Sequence, residues 1–340
     1  MAEKNEYFKS YPEIMAGKKI VYVHGFASSG QSGTVTLLRR LLPETTVVAP
    51  DLPIHAHEAV SLLHDVVATE HPDLIIGSSM GGMMAEQMHG YDRILVNPAF
   101  QMGDTMGSHG MVGKVTFQNP RRDGIQETVV TKQMQKEYRE VTEDCFAACD
   151  DDAEQQHVWG LFGDRDPIVH TREIFQQHYR QGVSFHGEHR LVDSIVHHSL
   201  LPVIRWVDDR QEGRQREVVY IECALAEADG EAASSADQKW SCRNGMRKVV
   251  EELLDRYEVF FVTTAPTNDR SRYDRFVAEL EEFIGVPAWG HAVMTNRTDL
   301  LYGDFLLTPY PPKDAMATVI ELGAPEFKGW EDVSEYFSRL

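Results

Sequence analysis

The sequence predicts an α/β fold in two domains, each built on a mostly parallel sheet, and three observations carry that expectation. Short apolar runs alternate with helical patterns from residue 19 onward. The composition then breaks at "RQEGRQRE" (210–217), after which a second alternation of the same kind begins. The length of 340 residues exceeds one ordinary domain and leaves each half enough chain to bury a core.

Taken in order, "KIVYVH" (19–24), "TTVVAPD" (45–51), "DLIIGSS" (73–79) and "RILVNPA" (93–99) read as strands, because each is a brief apolar run closed by a turn residue. "SGTVTLLRRLL" and "EAVSLLHDVVATEH" lie between them and repeat their apolar residues at helical spacing. "HVWGLFGDRD" (157–166) and "GVSFHGEH" (182–189) supply two later strands, and "VDSIVHHSLLPVIRW" a closing helix. The first domain is therefore set at 1–208, a linker at 209–216, and the second domain at 217–340. In the latter, "VVYIECALAEADG", "EVFFVTTAP" and "GDFLLTP" read as strands around the helix "NGMRKVVEELLDRY".

Composition narrows the function. A formal charge of -20 disfavours a nucleic-acid surface, since phosphates would be repelled where no basic patch compensates. The acidity is shared: residues 217–340 hold 12 basic against 23 acidic side chains. No stretch approaches the roughly 20 apolar residues of a membrane span, and the first residues lack an apolar signal region, so no membrane partner and a cytoplasmic location are expected. The four cysteines, Cys145, Cys149, Cys223 and Cys242, form no CxxC pair, which speaks for reduced thiols and against a metal site or a disulfide framework.

Chemistry concentrates at "GSSMGG" (77–82). Gly77-Ser78-Ser79-Met80-Gly81 fits G-x-S-x-G with Ser79 at the centre and Ser78 at a variable position. Such a serine sits where a strand turns sharply into a helix, and small neighbours are needed because the turn crowds the backbone. Its hydroxyl becomes nucleophilic only beside a base, which calls for a carboxylate and a histidine further along. "GLFGDRDPIV" offers two aspartates; the G-x-x-D-x-x-V spacing favours Asp166 as the orienting acid, with Asp164 as the alternative. Among 15 histidines, His189 follows the next strand and precedes a helix, as a triad base should. His197 and His198 fall inside the helical pattern and His186 on the strand. Backbone donors for an oxyanion are expected from Met80, the residue after the nucleophile, and from Phe26 in the glycine-bearing turn "VHGFASSG", each such donor being worth about 3 kcal/mol where measured.

The motifs "YVHGFASS", "APDLP", "GSSMGG" and "VNPA" together resemble the YqiA-like bacterial esterases of the α/β-hydrolase superfamily, over roughly residues 19–206. The resemblance implies an α/β-hydrolase domain with little or no lid, Ser79 as nucleophile, His189 as base, and activity on short-chain acyl esters. No cofactor is implied.

The second domain, about residues 217–340, resembles the 5'-nucleotidases of the haloacid dehalogenase superfamily, which implies a smaller three-layer α/β unit. By that likeness Glu222 stands in place of the nucleophilic aspartate, Ala224 in place of the second aspartate, Thr298 in place of the lysine, and Thr308 and Pro309 in place of metal-binding aspartates. Thr264 keeps the hydroxyl position and could hold an anion. Phosphoryl transfer needs a cation held by carboxylates, and these strand ends do not supply the cluster. The whole chain is thus expected to be a serine acyl hydrolase of small acyl esters with a non-catalytic second domain for binding or assembly, and a homo-oligomer could form through it. Two alternatives stand beside it: a non-catalytic two-domain binding protein, and an esterase regulated by a nucleotide or phosphate ligand at the second domain.

Overall fold

The computed structural model describes residues 9–222, 245–264, 271–284 and 290–340. Its contacts divide the chain between Glu212 and Gly213 into two compact units.

The strands of the first unit are β1 Lys19–Val23, β2 Thr46–Val48, β3 Leu74–Ser78, β4 Arg93–Val96, β5 Gly113–Thr116, β6 Glu127–Val130, β7 Val158–Gly163 and β8 Gln181–Phe185. Six of them form one sheet in the order β2-β1-β3-β4-β7-β8, every pair parallel. The apolar runs explain this arrangement, because a parallel sheet covered by helices on both faces must be apolar on both faces; β4 is buried at all four positions and β7 at five of six. The remaining pair, β5 and β6, makes a separate antiparallel ribbon that the sequence pattern did not announce. β5 alternates between half-buried and exposed and β6 is buried only at Val130, so neither carries a continuous apolar signal.

Strand order positions the site. The chain leaves β1 toward β2, returns across it to β3, and so creates a switch point at the carboxyl ends of β1 and β3, where parallel sheets open a crevice. Val23 is in register with Gly77, which brings "HGF" and "SSM" side by side. The approach is close enough to dictate residue size. A Cβ on Gly81 would stand 2.1 Å from the Val23 carbonyl oxygen, and one on Gly77 would stand 2.3 Å from the Gly81 carbonyl oxygen.

Two expectations are corrected here. The connection between β4 and β7 is not a minimal lid: it holds helices Met102–Ser108 and Lys132–Glu143, the ribbon, and the short helix Asp152–Gln155. Helix Lys132–Glu143 is capped by Thr131, which accepts from the Met134 amide, and it buries Met134, Tyr138 and Val141 along one face. The linker also begins later than expected, because helix Leu201–Glu212 runs through residues 209–212. That stretch is polar since its partners are polar. Asp208 accepts from the Met15 amide (3.0 Å) and Lys18 (2.7 Å), while Arg210 and Gln211 both reach Asp92.

In the second unit β9 Val218–Glu222, β10 Glu258–Thr263, β11 Ala292–Met294, β12 Phe305–Thr308 and β13 Thr318–Glu321 form a parallel sheet in the order β11-β10-β9-β12-β13. Helices Met246–Leu254, Arg272–Ile284 and Trp330–Ser338 accompany it, and Ile221, Val250, Phe261, Leu307 and Trp330 belong to its core. The edge strands β11 and β13 are three and four residues long, too short to stand out in the sequence. Among the described residues no helix is long and apolar enough to cross a membrane.

The close approach of the first helix after β3 makes a size prediction. Gly81→Ala should lower stability by about 1–3 kcal/mol through overpacking against backbone that cannot step aside. Gly33→Ala, where nothing lies within 4 Å, should change it by about 0.5 kcal/mol or less. Denaturation midpoints of the two variants check the contrast, and equal midpoints would refute it.

Candidate active site

Ser79 lies between β3 and helix Met80–Glu86 with φ 56° and ψ -119°. Non-glycine residues rarely adopt positive φ, so neighbouring bonds must hold it there. The Ser79 amide donates to the Val96 carbonyl (2.9 Å), and the Ser79 carbonyl accepts from the amides of Gly82 (2.9 Å), Met83 (3.1 Å) and Ala99 (3.0 Å). Ser78 ends β3 and lies beside the buried Tyr22 side chain.

His189 Nε2 lies 3.0 Å from Ser79 Oγ, and His189 Nδ1 lies 2.7 Å from Asp166 Oδ2. A carboxylate only accepts, so Nδ1 carries the proton and Nε2 is left to accept from the serine hydroxyl. Asp166 is buried at the mouth of the loop after β7, and its Oδ1 accepts from the amides of Ile168 (2.8 Å) and Val169 (3.0 Å). Burial opposes its ionisation, but the bonds from His189 and from these two amides outweigh burial and hold the carboxyl below its usual range.

Asp164, the alternative acid, faces a different histidine. Its Oδ2 is 2.9 Å from His186 Nδ1, and its Oδ1 accepts from the Gly187 amide (3.0 Å). His186 itself stands just past β8 rather than on it, because the strand ends at Phe185. His197 and His198 occupy a π-helical turn, Val196–Leu200, with His197 Nε2 3.4 Å from the Tyr11 hydroxyl.

The two expected oxyanion donors lie on either side of the switch point. The Met80 amide opens a helix, where first-turn amides have no intrahelical acceptor, and the Phe26 amide has no acceptor among the described residues. Sequence reasoning missed the residues that shape this turn. His24, almost fully buried, accepts from the Leu52 amide at Nε2 (3.0 Å) and bonds the Gly25 carbonyl through Nδ1 (2.8 Å), and burial pushes its pKa down so that it stays neutral. Asp51 accepts from the amides of Gly30 and Arg122, both at 2.7 Å. Tyr138, from the helix between β6 and β7, donates to the Ile54 carbonyl (3.1 Å), stands 3.2 Å from Met80 Sδ, and meets the Phe26 ring edge-on at 6.3 Å between centroids. His24 and Asp51 were visible in "VHGF" and "APDLP" as motif members without roles. Tyr138 had no signal beyond helical spacing.

In the second unit Glu222 ends β9 and is buried; the Thr308 hydroxyl at the end of β12 donates to its Oε2 at 2.5 Å. Burial raises the Glu222 pKa, and the Thr308 bond offsets that only in part. Thr264 is exposed just beyond β10, Thr298 starts a short 3-10 turn, and Pro309 follows Thr308. Ala224, Cys223 and Cys242 lie outside the described residues, while Cys145 and Cys149 are free thiols. Among the described residues no group of three or more His, Cys, Asp or Glu is arranged to hold a metal ion.

Comparison with known proteins gives one family match and a set of distant folds. The family described as uncharacterised protein family UPF0227 matches residues 19–204. Solved structures similar to this chain include Est1E from Butyrivibrio proteoclasticus, at 16% identity over 62% of this chain and 90% of that one, with a TM-score of 0.41. The esterase domain of a Rhodothermus marinus protein is 18% identical over 53% of this chain and 82% of its own, with a TM-score of 0.37. A marine microorganism esterase is 14% identical over 60% and 96%, with a TM-score of 0.36.

The depressed Asp166 carboxyl ties this site to stability. A group whose folded pKa lies below its unfolded one adds stability above the unfolded value and loses it as pH falls through the folded value. Melting temperature should therefore drop more steeply on acidification in the wild type than in Asp166→Asn. Parallel pH profiles for the two proteins would contradict the assignment.

Proposed function

The chain belongs to the UPF0227 family, and from that premise and the contacts of Ser79, His189 and Asp166 we propose that it is a serine acyl hydrolase of the carboxylesterase or thioesterase type. The observation that carries the reading is the unbroken relay from Ser79 Oγ through His189 (3.0 Å) to Asp166 (2.7 Å), with the serine in a strained turn at the sheet's carboxyl edge.

In this reading Ser79 Oγ attacks the acyl carbon while His189 Nε2 takes its proton. Asp166 fixes the histidine tautomer and stabilises the imidazolium that forms. The carbonyl oxygen, now negative, is met by the amides of Met80 and Phe26. The tetrahedral intermediate collapses as His189 protonates the departing alcohol or thiol, which leaves an acyl group on Ser79. Water then attacks that ester with His189 again as base, and the acid product leaves with the serine restored. The cycle needs no cofactor.

For the second unit we propose a nucleotidase-like fold of the haloacid dehalogenase type that has kept its sheet and lost its chemistry. The buried Glu222 bonded to Thr308 supports this, because a carboxylate used that way and held toward its neutral form is ill placed to attack phosphorus or bind a cation. Its role is then binding or assembly.

Ser79→Ala should abolish both ester hydrolysis and labelling by a fluorophosphonate, and Ser78→Ala should retain both. His189→Ala should lower kcat on the order of 10⁴-fold, since the serine loses its base. Labelling retained in Ser79→Ala would reject the mechanism. In the full chain, magnesium should produce no phosphate release from nucleoside monophosphates; release abolished by Glu222→Gln would show a living site in the second unit.

A further inference from the structure

The motif "VNPA" contributes an asparagine that the catalytic relay does not use. Asn97 follows β4, is 2% exposed, and holds φ 44°, a conformation that asparagine tolerates better than most side chains. Its amide donates to the Leu161 carbonyl of β7 at 2.8 Å. Its side chain joins two loops. Oδ1 accepts from the Gly163 amide at 2.8 Å, and Nδ2 donates to the carbonyls of Glu188 and His189, each at 3.3 Å.

Gly163 opens the loop that carries Asp166, and Glu188 and His189 belong to the loop that carries the base. We propose that Asn97 is a positioning residue that sets the distance between Asp166 and His189 by clasping both of their loops, an inference that rests on the hydrolase reading above. The chemistry of the side chain suits the task, because one planar group must accept on one side and donate on the other. Aspartate would turn an oxygen toward two carbonyl oxygens. The surroundings show how little slack there is: a Cβ on Gly163 would lie 2.7 Å from the Gly187 carbonyl oxygen and 2.8 Å from that of Glu188. The two loops also share backbone bonds from Asp164 to Phe185 and from Arg165 to Gly187, both at 3.0 Å, so the clasp trims their relative position instead of creating it.

The test uses the full chain with two replacements, Asn97→Gly, which suits the positive φ and removes the clasp, and Asn97→Asp, which keeps the shape and reverses the donor. Hydrolysis of a p-nitrophenyl acyl ester should show kcat reduced by about 10²-fold with KM changed little, as expected when reacting groups are displaced by an ångström or less. In parallel, the downfield NMR proton of His189 Nδ1 in histidine-labelled protein should shift or broaden in both variants, a change that a loss of general stability would not produce in a folded protein. Either variant suffices if the other fails to fold. Unchanged kcat together with an unchanged proton resonance would overturn the proposal, as would a loss confined to KM. If the wild type neither hydrolyses esters nor labels at Ser79, the hydrolase reading fails, and the proton resonance alone then decides for or against the clasp.

Discussion

The backbone turn at Ser79 is the constraint on which the rest of the first unit depends. A strand buried on both faces must reverse into a helix within one residue, and that residue takes a positive φ that costs on the order of 1–3 kcal/mol. Several features of the chain serve to hold it. Gly77 and Gly81 remove the side chains that would collide, and the Ser79 carbonyl is shared among three amides. Gly25 lets the end of β1 come so near that a Cβ there would lie 3.4 Å from Ser79 Cβ. The strained serine is thus supported from its own strand, from β1 and from the loop after β4. A serine free to relax would lose its fixed distance to any base.

The electrostatic arrangement follows from the same geometry. Two histidines flank the switch point, and their surroundings give them different tasks. His24 is enclosed, bonded at both nitrogens to backbone, and kept neutral by burial, so it acts as a rigid strut for the Gly25–Phe26 turn. His189 is bonded to one carboxylate and one hydroxyl, so a proton can move through it. Asp166, held toward its ionised form by its amide and imidazole partners, sets a negative charge against that ring. Tyr138 brings the segment between β4 and β7 onto both Phe26 and Met80, so packing there bears on the turns after β1 and β3.

Much of this was legible in the chain, and the parts that were not share a cause. The central strands announce themselves because burial on both faces demands unbroken apolar runs, and Ser79 because its turn demands glycines in a fixed pattern. His189 could be set apart from His197 and His198 by its place after a strand, but not from His186, which also stands past the end of β8. The ribbon β5–β6 and the edge strands β11 and β13 went unread, since half-exposed or very short strands need no such run. The helix through residues 209–212 looked like a linker because its contacts are polar. His24, Asp51 and Asn97 bond mainly to backbone groups far away in sequence, and a single chain gives no spacing that encodes such a bond. In the second unit the bond between Glu222 and Thr308 was not readable, because it required the register of β9 with β12.

In the proposed mechanism an acyl group passes through Ser79. Rapid mixing with an activated short-chain ester, acid quenching and peptide mass mapping tests it most directly. A transient mass increase equal to one acyl group is expected on Ser79, appearing with a burst of released leaving group and decaying as the acid product forms. Turnover of the ester with no adduct at any time, or an adduct on another residue, would contradict it.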